Sequence, residues 1–331
     1  MAVGLTSAKP AAARPARNRT TIVMAAALVL MALLPFLAVA LGDPFLLVIA
    51  TRVMIFAIAA LSLDLILGYG ALISFGHAAF LGIGAYSVAI LASHGVSDFV
   101  LQLVVAIVVS AIFALFTGAI ALRTKGVYFI MITLAFGQMA YFFVVSLSAY
   151  GGDDGLTMWA RSTVLGQPWL GDDFVFFYVV LAFLAGLFVL AQALIRSRVG
   201  RVLRGTRDNA VSMEAIGFAP FPFQLTAYVI AGCMAGIAGA LLANQAEFVS
   251  PAYMSWQRSG DLIIMLVLGG TGTLVGAVAG AAAFIMLEEW LAPLWQHWKL
   301  ALGVILILVV LFTRGGIVGF FERVFRRSRH G

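Results

Sequence analysis

The side chains that could do chemistry in apolar surroundings are the carboxyls of Asp64, Glu288 and Glu289 and the imidazole of His77. Intramembrane carboxylates are the groups by which a solitary carrier couples a solute to protons or ions, so these acids define one reading, an ion-coupled secondary transporter. All three sit near the ends of apolar runs, within reach of water and of salt-bridge partners. His77, set between Gly76 and Ala78, reads either as a hydrogen-bonding group facing a pathway or as a buried histidine bonded to a neighbouring helix carbonyl. The second is favoured, because no other His, Cys or acid stands at ligand spacing. Gln138, in TLAFGQMAY, carries the same two readings, and amides in membrane helices more often join helices than bind solutes.

The chemistry that is missing narrows the function. No nucleophile, base and oxyanion arrangement can be assembled, nor a paired-acid site, so the chain reads as a non-enzyme without catalytic residues. ATP hydrolysis by a P-loop needs GxxxxGK[ST], and none of Lys9, Lys125 and Lys299 follows such a loop. Any ATP that drives this protein is hydrolysed elsewhere, and no cofactor is expected on the chain itself. Cys233 is the only cysteine, embedded in AGCMAGIAG, which excludes an internal disulfide and offers no metal cluster.

The elements that must position these groups follow from composition. With 63% hydrophobic and only 10% charged residues, the chain cannot clothe a water-soluble fold. Apolar runs of roughly 20 residues recur, as helices crossing about 30 Å of hydrocarbon require, rather than the alternating segments of a barrel. The expected fold is all-α, a polytopic transmembrane helical bundle. A net charge of +6 reflects Lys and Arg gathered mostly in short intervals between or beyond the runs, the pattern of cytoplasmic loops.

Residues 1–20 read as a disordered basic cytoplasmic tail, 21–313 as the transmembrane domain and 314–331 as a second basic cytoplasmic tail. Spans are expected at 21–41, 45–67, 71–92, 99–122, 127–147, 174–195 and 223–243. Ala38, Val39 and Ala40 resemble a signal-peptidase site, but the preceding run is long enough to remain as a helix. The loop 148–173, with Asp153, Asp154, Asp172 and Asp173, belongs outside, with room for a short helix or lid and acidic groups for a soluble partner. From Leu262 the run LIIMLVLGG is too short to cross before GGTGTLVG interrupts it. Two cytoplasmic ends require an even number of crossings: ten spans with Gly269–Gly272 as a broken-helix turn near the inner side, or eight with a re-entrant hairpin. Ten is favoured, with the broken segment buried in protein.

Two glycine breaks look alike, LGYGALIS at Leu67–Ser74 and LGGTGTLVG at Leu268–Gly276, as internal repeats around a pathway do. Gly68, Gly70, Ser74, Gly76, His77, Gln138, Gly269, Gly270 and Gly272 are therefore the candidates for the pathway and its helix breaks. The interval 196–222 holds Arg196, Arg198, Arg201, Arg204 and Arg207, which place it in the cytoplasm. Its part from Asp208 to Gly217 predicts a short helix, capped by Asn209 or Ser212 and stopped by Gly217 ahead of Pro220 and Pro222. A charged connector would fix topology without the amphipathic turn that Met213 and Ile216 add.

The stretches GYGALISFGHAAFLGIGAY, RTKGVYFIMITLAFGQM, RDNAVSMEAIGFAPFPFQLTAYVIAGCMAGIAGAL and VLGGTGTLVGAVAGAAAF occur in the order found in the permease subunits of bacterial branched-chain amino-acid ABC importers, which the chain resembles over roughly residues 50–320. The resemblance implies a multi-pass protein of the bacterial inner membrane. Its implied partners are a second, similar permease, two ATP-binding subunits and a periplasmic solute-binding protein. It assigns docking of the ATPase to the loop before the seventh span, here Arg207, Asp208, Asn209, Glu214, Ala215 and Gly217. The permease-loop pattern is shortened to Glu214, Ala215, Ile216 and Gly217. The implied solutes are branched-chain or related amino acids; urea, short amides and aromatic acids are carried by the same family.

Overall fold

The computed structural model describes residues 45–293 and 297–312 without interruption, residues 27–36, and positions 24, 42, 316, 317 and 319. Both basic tails, apart from Gly316, Ile317 and Gly319, and the sequence Ala38–Ala40 lie outside the described residues. The fold is all-helical, as expected. Its helices are α1 (Ala27–Phe36), α2 (Phe45–Leu67), α3 (His77–Ser93), α4 (Phe99–Ala121), α5 (Val127–Ser146) and α6 (Asp173–Arg196). The chain continues with α7 (Arg198–Ala215), α8 (Pro220–Ala246), α9 (Trp256–Gly269), α10 (Leu274–Leu291) and α11 (Trp298–Phe312). Six of them, α2, α4, α5, α6, α8 and α10, are long and apolar enough to cross a membrane unaided. Of the shorter ones, α3 and α9 have 17 and 14 residues.

The centre of the bundle is α8, packed against α2, α3 and α4. Small residues make that packing close. Ala106, Ser110 and Ala114 of α4 recur at helical spacing and meet Gly236 and Gly232, while Gly84 of α3 lies against the Gly236 carbonyl. Without a hydrophobic driving force between helices in lipid, such close approach supplies the van der Waals contact that holds them. The helix α2 is buried around its whole circumference from Val53 to Ile66, which fits its uniformly apolar sequence. By contrast α4 and α5 leave Val104, Ile112, Phe116, Met131, Met139 and Phe142 exposed, a surface suited to lipid or to another subunit.

Three expectations need correction. The third apolar segment is helical only from His77; Ala71–Ser74 has no regular structure and leads through a turn into α3. The interval after Arg196 is helical from Arg198 rather than from Asp208, since Ser197 caps a turn whose Val202 and Leu203 are buried. The loop 148–173 carries two short 3₁₀ turns but no longer helix, and it is tied down rather than free. Its strand β1 (Leu156–Thr157) pairs antiparallel with β2 (Phe248–Val249), just beyond α8. Arg161 ion-pairs there with Asp173 and Glu247, and the Ser162 amide donates to Asn244 of α8. Of its acids, Asp172 caps α6 and Asp173 is engaged, which leaves Asp153 and Asp154 exposed on the turn.

Candidate functional site

The two glycine breaks, far apart in sequence, meet in space. α2 ends at Leu67, and a Cβ on Gly68 would strike the Gly272 backbone and the Asp64 carboxylate, so only glycine permits this approach. Gly270 and Gly272 hold the second break at φ of 112° and 78°, in the left-handed half of backbone space. Asp64 joins the two: its Oδ1 accepts the Gly272 amide hydrogen at 2.8 Å. The side chain is fully buried, and Oδ2 has no hydrogen-bond partner among the described residues. A carboxylate that sequence alone made an ion-coupling candidate thus also holds a backbone amide of the second break, two residues before α10 begins.

Beyond Gly70 the backbone does not resume a helix at once. Ala71 takes φ of 53°, the Leu72 amide turns back to the Ile66 carbonyl, and the Phe75 amide donates to Thr133 Oγ1 of α5 at 3.3 Å. At the start of α3 the Ala78 amide donates to Ser259 Oγ of α9 at 3.0 Å. Helices α2, α5 and α9 therefore satisfy a stretch that has lost its own ladder, which is the condition for irregular backbone at membrane depth. His77 Nε2 lies 2.8 Å from Ser62 Oγ, whose hydroxyl donates to the Ala59 carbonyl. The ring nitrogen is consequently the donor to Ser62. His77 thus ties α3 to the Ser62 hydroxyl of α2 rather than to a helix carbonyl, while its Nδ1 has no partner among the described residues. Ser62 sits about 8 Å along the axis from the end of α2, so the irregular stretch lies within the depth that α2 spans.

The arginine-rich helix α7 reaches this junction. Arg207 Nη1 donates to the Gly68 carbonyl at 2.9 Å and Nε approaches Asp208 at 3.2 Å. α7 is bent at Asn209, whose φ of −159° and ψ of 101° are not helical, and Asn209 Oδ1 caps the second half by accepting from the Ser212 amide. That half ends in a Schellman turn: the Phe218 amide bonds the Met213 carbonyl, the Gly217 amide bonds that of Glu214, and Gly217 has φ of 87°. Met213 folds back onto Gly205, whereas Val211, Glu214, Ala215 and Ile216 are exposed. The expected cap and stop are both present.

The remaining candidates lie elsewhere. Glu288 and Glu289 ion-pair with Arg52 at 3.5 and 2.6 Å, at the end of α2 opposite Asp64. Gln138 is half-buried and lines a cavity of about 480 Å³ with Tyr141, Ser255, Arg258, Asp261 and Lys299. Sequence reasoning passed over Arg258, Asp261 and Lys299. Arg258 and Asp261 stand three residues apart on α9, a spacing visible in the sequence, while Lys299 of α11 joins them only in the fold.

Comparison with known proteins agrees with this architecture. The family described as "Branched-chain amino acid transport system / permease component" matches residues 45–312. The chain is 28% identical to the high-affinity branched-chain amino acid transport system permease protein LivM of Salmonella typhimurium, over 86% of this chain and 74% of that protein. It is 27% identical to LivM of Escherichia coli, over 82% and 69%. A weaker likeness, 27% over 46% of this chain and 45% of the relative, joins it to the autoinducer 2 import system permease protein LsrC of Escherichia coli. No solved structure matches the chain. A match across nearly all of the described bundle, together with its multi-pass helical architecture, places this chain in the family of permease components of branched-chain amino acid transport systems.

Proposed function

We propose that this chain forms half of the translocation pathway of a bacterial inner-membrane importer for branched-chain or related amino acids, driven by separate ATP-binding subunits. The single observation that carries the reading is the hydrogen bond from Arg207 to the Gly68 carbonyl, which connects α7 to the place where both helix breaks meet. An ATPase that grips the exposed Val211, Glu214, Ala215 and Ile216 would thereby move the breaks themselves. The helices α1 to α6 and α8 to α11 then make ten crossings, with α7 and both tails in the cytoplasm, in keeping with the positive-inside bias. A second permease and a periplasmic solute-binding protein complete the assembly; the names of the relatives support a permease role.

The stretch after Gly70 supports a pathway on this side. Ala71 and Ile73 are exposed in the isolated chain, yet irregular backbone does not face lipid. Their exposed face belongs against a partner subunit or a water-filled path. Co-purification from the native membrane tests the reading. Recovery of a second permease and of P-loop subunits, with ATP hydrolysis stimulated by a loaded binding protein, is the expected outcome. Uptake of urea, short amides or aromatic acids in place of amino acids would change the solute and keep the mechanism. A solitary homo-oligomer whose uptake stops on Asp64→Asn would replace it with ion coupling.

A further inference from the structure

Two apolar side chains on the loop 148–173 are ill suited to water. Val164 and Gln167 exchange backbone hydrogen bonds at 2.9 and 3.0 Å, which closes a two-residue hairpin turn over Leu165 and Gly166. Both turn residues have positive φ, 51° and 78°, as a type I′ turn requires. Glycine and asparagine enter that region readily, whereas leucine does so against the contact of its Cβ with the backbone carbonyl. Nor does the Leu165 side chain pack on the protein: it is 84% exposed, and Trp169, just beyond the turn, is 62% exposed. A leucine strained in its backbone and presented outward implies something outside the chain that receives its side chain.

The place of the turn says what that is. The Phe99 amide donates to the Thr163 carbonyl at 2.8 Å and the Thr163 amide to the Ser97 carbonyl at 2.7 Å. Asp98 uses both carboxylate oxygens, Oδ1 accepting the Leu101 amide at 3.0 Å and Oδ2 the Leu165 amide at 3.3 Å. The hairpin is therefore fixed beside the first turn of α4, where Val100, Leu101 and Val104 are exposed. Trp169 opens a 3₁₀ turn that leads into α6, where Phe174 and Val175 are exposed. The apolar tip thus adjoins the first turns of two membrane-crossing helices, whose exposed side chains there are apolar as well. From Ser162 to Gly171 no side chain is charged, and the acids of the loop keep to Asp153, Asp154, Asp172 and Asp173. An uncharged tip carrying tryptophan has the composition of a membrane–water interface rather than of a surface for a soluble partner.

We infer that Leu165 and Trp169 insert into the lipid interface of the leaflet at the end of the bundle opposite α7, so that the hairpin is a membrane anchor. Leucine reaches the acyl boundary, and the indole stays among the headgroups, where its N–H finds an acceptor. The peptide groups of the turn remain at a depth that water reaches, as backbone outside a helix must. Two ties carry the anchor to the bundle: Asp98 joins the turn to α4, and Arg161, which donates to the Leu170 carbonyl at 3.2 Å, pairs with Asp173 of α6. The anchor thereby fixes how deep the first turns of α4 and α6 sit.

The test reads depth by electron paramagnetic resonance on the full chain, with the subunits that co-purify with it, in lipid nanodiscs. In a Cys233→Ser background a nitroxide is attached at Leu165→Cys or Trp169→Cys. Its collisions with oxygen, which concentrates in lipid, are compared with those of a water-soluble nickel chelate, and Asp153→Cys is the water reference. The oxygen-to-nickel ratio at both positions should exceed that of the reference by at least about threefold. A ratio equal to the reference puts the tip in water and overturns the inference. Few collisions with either reagent means that a protein partner covers the tip, which overturns it as well. Leu165→Asn suits the turn but not lipid, so it keeps the fold and should lower the ratio read at Trp169→Cys by at least about twofold. An unchanged ratio would remove Leu165 from the anchor and with it the inference.

Discussion

Arg207 and Asp64 act on the same junction from opposite sides, and their substitutions should part cleanly. Arg207→Gln removes the charged donor to Gly68 from an exposed side chain, which leaves the packed core intact. The expected result is a thermal midpoint close to that of the parent, with solute uptake per ATP hydrolysed reduced by about tenfold, a factor equivalent to about 1.4 kcal/mol. Unchanged uptake would reduce α7 to a topology signal. Asp64→Ala removes the acceptor of the part-buried Gly272 amide and should cost about 1–3 kcal/mol, whereas Asp64→Asn keeps a carbonyl acceptor and should cost less. Denaturation of the purified protein distinguishes the two. Both groups were legible in the sequence as singular residues, but their shared junction was not, because Gly68 and Gly272 are brought together only by the packing of α2 against α10. Of the charged groups in the cavity, Arg258 and Asp261 share α9 at a readable i,i+3 spacing, and only the approach of Lys299 from α11 was illegible.

At the level of elements, most helix limits could be read from the apolar runs and their caps. Pro220 opens α8, Asp98 caps α4 and Gly217 stops α7, each by local chemistry that needs no tertiary context. The start of α3 could not be read, because residues 71–76 are as apolar as the helix they precede and only Thr133 and the close approach of Gly76 to α5 take them out of it. The second half of α7, from Ser212 to Gly217, lies outside the packed bundle. Gly217→Leu forces a side chain into the left-handed region at about 1–2 kcal/mol, a strain confined to that turn. It should abolish stimulation of ATP hydrolysis by a loaded binding protein while the bundle melts as before. Glu214→Arg should do the same by reversing a charge on the exposed face; normal stimulation in both would remove α7 from the mechanism.

For the whole molecule, the exposed face of the irregular stretch is the most direct test of subunit arrangement. In a Cys233→Ser background, Ile73→Cys should react with a membrane-impermeant maleimide in at least one nucleotide state of the assembled importer, and not at all if lipid covers it. The loop 148–173 leads to a different consequence. α8, about 40 Å long, begins just beyond α7 and ends at the strand that fastens the loop 148–173, so both faces of the membrane are ends of one rod. If an ATPase docks on α7 as proposed, thermodynamic reciprocity applies: whatever free energy a ligand on the loop contributes to the grip of the ATPase, the ATPase must contribute to the grip of that ligand. An antibody fragment raised against Asp153, Asp154 and Trp159, all exposed on that loop, would therefore sense the nucleotide bound on the far side of the membrane through a change in its own affinity.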